Sequence, residues 1–183
     1  MMQTQSTLLE PNDVLYRIKR GLSGYVSYLA ACEMNPSFSE YLLYEPILRI
    51  FTARGFSVEC EAMCPGIPSS TIGDKKRLDF VAHKDALTLA IEVKWTKKRR
   101  PAVKTDVDKL TACLGSKKGW RAFLIVFGAK SCIDRLRLPD GKFTERGTKR
   151  IADLGKTKFG CRVYELAKPC ATGSSRSRSA TRS

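Results

Sequence analysis

The sequence predicts an α/β fold, a central β-sheet flanked by helices, and three observations carry that prediction. Residues 39–54 place apolar side chains at helical spacing. Within the stretch 77–95, RLDFVAHKDALTLAIEVKW, two strands are separated by a turn near Lys84 and Asp85. Residues 120–127, WRAFLIVF, form a nearly continuous apolar run, the mark of a central strand buried on both faces. At 183 residues the chain fits one domain, large enough to bury a core without disulfides or a structural metal.

Taken in order, the first element is helical. Val14, Leu15, Ile18, Leu22, Tyr25, Val26 and Leu29 recur at helical spacing over 13–32, with Gly21 and Gly24 as weak points, so the segment is one bent helix or two short ones. Residues 1–38 are thus expected to be an N-terminal helical extension to an α/β domain over 39–168. The helix over 39–54 has Ser37 or Ser39 as its N-cap and Gly55 as its stop. Its core residues are Leu43, Ile47, Ile50 and Phe51; Pro46 inside the pattern predicts a kink or a start near Glu45. Phe56, Val58, Cys60 and Ala62 alternate with polar residues as a half-buried strand does, and 64–74, rich in Pro, Gly and Ser, reads as a loop.

After the 77–95 strands comes a helix over 103–114, with Val107, Leu110 and Leu114 on one side, and then the 120–127 strand. A turn at Pro139, Asp140 and Gly141, a short helix over 144–154 and a last strand over 161–166 follow. Residues 169–183, ending ATGSSRSRSATRS, lack the apolar content to fold and are expected to be a flexible basic tail, with Arg176, Arg178 and Arg182 as an electrostatic tether.

Composition narrows the function. There are 33 Lys and Arg against 18 Asp and Glu, a formal charge of +15, which points to an anionic partner, nucleic acid first. No apolar stretch approaches the roughly 18 residues of a membrane-spanning helix, and the start MMQTQST is too polar for a signal peptide. A cytoplasmic protein with no membrane partner is therefore expected. Seven cysteines are spread without a disulfide framework. Cys60 and Cys64 are half of a zinc site with no second pair, and His83 is the only histidine, which disfavours hydrolases that need an imidazole base.

The residues that carry chemistry lie on the 77–95 hairpin. Side chains of a strand alternate in direction, so Ala90, Glu92 and Lys94 share one face and Leu89, Ile91 and Val93 the other. Asp79 on the preceding strand folds back toward Glu92 and Lys94, and two carboxylates with a lysine can build a metal-dependent phosphodiesterase site. The bland alternative makes Asp79 a turn cap and Glu92 and Lys94 solvated residues on an exposed sheet face. The run Lys97, Lys98, Arg99 and Arg100 follows at once: it is either a solvated loop or a surface that contacts phosphates, which Lys104, Lys109, Lys117 and Lys118 would broaden. Trp95 reads as packed core or as a platform for a base, and His83 shares the Asp79 side of its strand.

This order of elements, with Asp79, twelve residues, then Glu92, Val93 and Lys94, resembles the PD-(D/E)xK nuclease superfamily over roughly residues 39–128. Leu78 stands where the family name has proline. The resemblance implies a restriction-endonuclease-like fold, a central mixed β-sheet of four to five strands with core order αβββαβ. It implies a Mg²⁺-dependent nuclease, with Mn²⁺ as a substitute, in which Asp79 and Glu92 hold the metal with the Val93 carbonyl. Lys94 then positions water or stabilises the transition state. Members often add a glutamate from the first helix; the choices here are Glu45 and Glu40, and spacing to Gly55 favours Glu45. DNA is the implied substrate, Lys97, Lys98, Arg99 and Arg100 the implied contacts to it, and a homodimer the way to cut two strands. The alternative is a non-catalytic nucleic-acid-binding or partner-binding protein that keeps the same fold.

Overall fold

Glu10–Ala31 is a single helix, α1, despite Gly21 and Gly24. Val14, Leu15, Ile18, Leu22 and Val26 form its buried stripe, and packing of that stripe outweighs the cost of about 1 kcal/mol for each interior glycine. The computed structural model describes residues 10–34, 39–68, 76–139, 141–154 and 156–167. Ser37, Asp140, Cys170, most of the 64–74 loop and the basic tail lie outside the described residues. Next come a 3₁₀ turn at Tyr41–Leu43 and helix α2 at Tyr44–Ala53, so the helix begins beside Glu45, where Pro46 is tolerated in the first turn.

Strands β1 (Ser57–Met63), β2 (Arg77–Lys84) and β3 (Leu87–Thr96) form an antiparallel meander. Asp85 takes φ 51° in the tight β2–β3 turn. Helix α3 (Lys104–Ser116) then crosses over to β4 (Arg121–Ala129), which lies parallel to β3 with Leu89 opposite Arg121 and Thr96 opposite Gly128. The order α2-β1-β2-β3-α3-β4 is the αβββαβ succession expected from the sequence. A one-turn helix, α4 (Lys130–Ile133), leads to β5 (Phe143–Glu145), β6 (Arg150–Ala152) and β7 (Phe159–Leu166).

The sheet is mixed and seven-stranded, in the order β1-β2-β3-β4-β7-β5, with β6 also paired to β7. That corrects the expectation of four to five strands, and it replaces the helix expected over 144–154 by two short edge strands. Both pair with β7, β5 along one half and β6 along the other, their registers offset by two residues. Gly147 at φ 65° breaks the segment between them, and the Lys19 ammonium of α1 donates to the Arg146 and Thr148 carbonyls there. Strands of three residues show no readable period, whereas a polar segment of that length reads easily as a helix.

Helices cover both faces. On one, α1 and α2 bury Ile18, Leu22, Ile47 and Phe51 against Phe80, Ile91, Phe123 and Val163. On the other, Val107, Leu110 and Cys113 of α3 and Ile133 of α4 pack on Leu78, Ala90, Leu124 and Val126. α1, set apart by sequence as an extension, thus shares its core with the sheet. No helix among the described residues is long and apolar enough to cross a membrane.

Candidate active site

The β2–β3 ladder runs from Lys84 opposite Leu87 up to Phe80 opposite Ile91 and stops. Continued by one residue, that register sets Asp79 beside Glu92. Here a side chain takes over from the backbone: the Val93 N–H donates to Asp79 Oδ2 at 2.6 Å. The β1–β2 ladder skips the same level, since Cys60 pairs with Phe80 and Ala62 with Leu78 while Glu61 between them takes φ 53°. A glutamate held in the left-handed region costs of order 1 kcal/mol or more and persists only where its surroundings demand it. In this case the demand is a hydrogen bond: the Tyr44 hydroxyl, at the start of α2, lies 3.0 Å from Glu61 Oε1 and 2.6 Å from Asp79 Oδ1.

On β3 the predicted alternation holds. Leu89, Ile91 and Val93 belong to the core under α1 and α2, and Glu92 and Lys94 face α3. Glu92 is 1 % exposed and pairs with Lys109 of α3 at 2.6 Å; the same ammonium donates to the Arg77 carbonyl at 2.8 Å. Lys94 lies 3.4 Å from Glu40 and 3.6 Å from Asp106, and Glu40 also accepts from the Trp95 N–H at 3.0 Å. These groups line one pocket of about 250 Å³, bounded further by Thr105 and Ala102 of the β3–α3 connection and first helical turn.

Asp79, Glu92, Val93 and Lys94, the residues singled out in the sequence, all line this pocket. Glu45 does not join them. One residue past Tyr44, it does not line the pocket and pairs with Arg49 at the surface, and Glu40 is the glutamate beside Lys94. Lys109 needs correction too: read as part of a basic surface, it is 6 % exposed and turned inward. Glu61, Tyr44 and Asp106 were missed altogether. Asp106 and Lys109 left a usable trace, since at i and i+3 they sit beside the apolar Val107 and Leu110 stripe. Glu61 left none, because strand parity gives it to solvent.

Lys97, Lys98, Arg99 and Arg100 are exposed on the β3–α3 connection, next to but outside the pocket. Trp95 packs against Phe159, and His83 contacts Thr88 and Trp120 away from the pocket. Among the described cysteines, Cys32 and Cys60 are exposed and Cys64, Cys113 and Cys161 buried; all are free.

Five carboxylates, of Glu40, Glu61, Asp79, Glu92 and Asp106, face Lys94, Lys109 and Arg77, so a locally acidic pocket sits in a chain of charge +15. Burial, then the Asp79 charge, pushes the Glu92 carboxyl up to about 9 against the pull of Lys109. Burial also raises Asp79, opposed by the bonds from Tyr44 and Val93, and raises Asp106, opposed by Lys94. Burial acts to lower Lys94, but Asp106 and Glu40 outweigh it, and the ammonium is held above its usual range. Tyr44 is pushed far up by burial and by Asp79 and stays a phenol. Glu92 Oε1 is buried without a hydrogen-bond partner, and Asp106 Oδ2 has none beyond its ion pair with the Lys94 ammonium at 3.6 Å.

Orphaned carboxylate oxygens are costly unless a cation or water meets them, and hard oxygens in this number suit Mg²⁺ or Mn²⁺. Among the described residues no three acidic, cysteine or histidine side chains converge tightly enough to enclose an ion by themselves. Asp79 and Glu92 fit a metal held by one or two carboxylates and completed by water, the arrangement Mg²⁺ prefers. Comparison of the chain with protein families, with curated proteins and with solved structures finds no match.

Proposed function

We propose that this chain is a metal-dependent nuclease of restriction-endonuclease-like fold that hydrolyses phosphodiester bonds in DNA, acting in the cytoplasm, as a homodimer where both strands are cut. The observation that carries the reading is the meeting of Asp79, Glu92 and Lys94 in one pocket, with a buried, unpartnered carboxylate oxygen on Glu92. Asp79, Glu92 and the Val93 carbonyl would hold Mg²⁺. Such an ion supplies Lewis acidity toward the phosphate and lowers the pKa of bound water.

The protein's own groups have separable tasks. Tyr44 and the Val93 N–H fix both oxygens of Asp79 in place. Lys94, kept charged by Asp106 and Glu40, donates to the attacking water or to the phosphate oxygen on which charge develops. Glu40 ties its ammonium to the backbone of Trp95, so the donor is positioned before substrate arrives. Lys109, 2.6 Å from Glu92, favours the charged form of that carboxyl and so offsets part of its burial.

One observation favours the second reading, a binding protein of this fold without turnover: Asp79 and one oxygen of Glu92 already have partners from the chain itself. Incubation of the purified chain with supercoiled, linear and single-stranded DNA, and with RNA, in Mg²⁺, Mn²⁺ or EDTA separates the two. Cutting in Mg²⁺ or Mn²⁺ that stops in EDTA is expected. Intact DNA under every condition, with salt-sensitive binding retained, would favour the binding protein.

A further inference from the structure

A cleft larger than the carboxylate pocket lies beside it among the described residues. It encloses about 710 Å³ between the β3–α3 connection, the segment after α4, and strands β5 and β7. Arg100, Arg137 and Arg162 line it, and Phe143 and Tyr164 form its apolar side. A second hollow of about 430 Å³ shares Arg100 and Arg137 and adds Arg99 and Arg135. The backbone fixes this arrangement, because the Arg137 N–H donates to the Arg99 carbonyl at 2.9 Å and so ties the two arginine segments together.

Five guanidinium groups in adjoining hollows repel one another unless something anionic lies between them. Among the described residues two carboxylates line these hollows, and both are already engaged: Asp134 binds Lys130 and Lys149, and Glu145 lies 3.6 Å from Arg162. Among the described residues, Arg99, Arg100, Arg135 and Arg137 meet no carboxylate; Arg135 reaches only the Ser131 carbonyl of its own turn. The Arg162 Nε is buried with no partner. Position adds to charge. Ala102 lines the carboxylate pocket and Arg100 the cleft, so the two sites adjoin across two residues of chain, about 7 Å at full extension.

We propose that this arginine cleft binds a single-stranded segment of nucleic acid, its phosphates on the guanidinium groups and a base against Phe143. That the bound strand continues into the carboxylate pocket rests on the nuclease reading; that the cleft binds it does not. Guanidinium groups match phosphate oxygens with a fork of N–H donors, and basic grooves with an aromatic side are suited to single strands. A duplex keeps its bases stacked inside and has none to offer Phe143, which is half-buried in a concave wall.

The test is binding of a labelled oligothymidylate, and of a blunt duplex of equal length, across a salt series in EDTA, so that no cleavage intervenes. Wild type is compared with Arg135→Gln/Arg137→Gln, both exposed positions, and with Arg17→Gln/Arg20→Gln on the exposed side of α1 as a charge-matched control. The cleft variant should bind the single strand about tenfold more weakly, and its salt slope should flatten by about 1.4, two phosphate contacts at about 0.7 each. The duplex should lose far less and the control variant almost nothing, at matched melting temperatures. Wild-type single-strand affinity and slope in the cleft variant would overturn the proposal, as would an equal loss on single strand and duplex. Reduced single-strand binding by a chain that cuts nothing would leave the cleft assignment standing and remove the nuclease reading.

Discussion

Glu92 is pulled two ways, toward its protonated form by burial and Asp79 and toward its carboxylate by Lys109 at 2.6 Å. Burial prevails, and the carboxyl is pushed up to about 9, well above its unfolded range near 4.5. A carboxyl raised in this way contributes stability that is fully present below the unfolded pKa and is lost as pH rises through the folded one. The metal-free chain should therefore melt at least about 3 °C lower at pH 8.5 than at pH 6. Glu92→Gln should remove most of that slope, and an unchanged slope in this variant would show that Glu92 does not titrate as described. Asp79, Glu92 and Lys94 were legible in the sequence because strand alternation puts residues two apart on one face and an apolar run marks the strand. Tyr44, Glu61 and Lys109 were not. Each acts through a side chain that departs from the simple parity or surface rule for its element, and only the tertiary fold supplies the partner.

The parallel β3–β4 pair is the element that holds the site in register. Its last rung sets Thr96 against Gly128, two residues beyond Lys94, and a Cβ at Gly128 would collide with the Thr96 carbonyl. Gly128→Ala should therefore push the strand ends apart, at a cost of about 1–3 kcal/mol and about 3–10 °C in melting temperature. A variant that melts like wild type would show that this rung has slack. Elements with long periods were read correctly: the meander, the apolar β4, and α2 with its start beside Pro46. The far edge was not. β5 and β6 owe their extended form to the free edge of β7, which residues 143–152 cannot announce on their own.

At the scale of the whole molecule the charge is divided. A chain of +15 surrounds a pocket lined by five carboxylates, and the basic run 97–100 and the arginine cleft flank that pocket. Positive potential of this kind draws a polyanion to the surface, while the acidic pocket suits the cation that the proposed chemistry would need. Net charge and the basic run were visible in composition; the cleft was not, because Arg135, Arg137 and Arg162 meet Arg99 and Arg100 only when β7 closes the sheet beside β4. Lys94, as the positioned ammonium of a hydrolytic site, is the centre of the proposed function. Its most direct test is DNA cleavage in Mg²⁺ by Lys94→Ala beside wild type, at matched purity and folding. Loss of cutting with DNA binding retained is the predicted result, and cutting at the wild-type rate by the variant would contradict it.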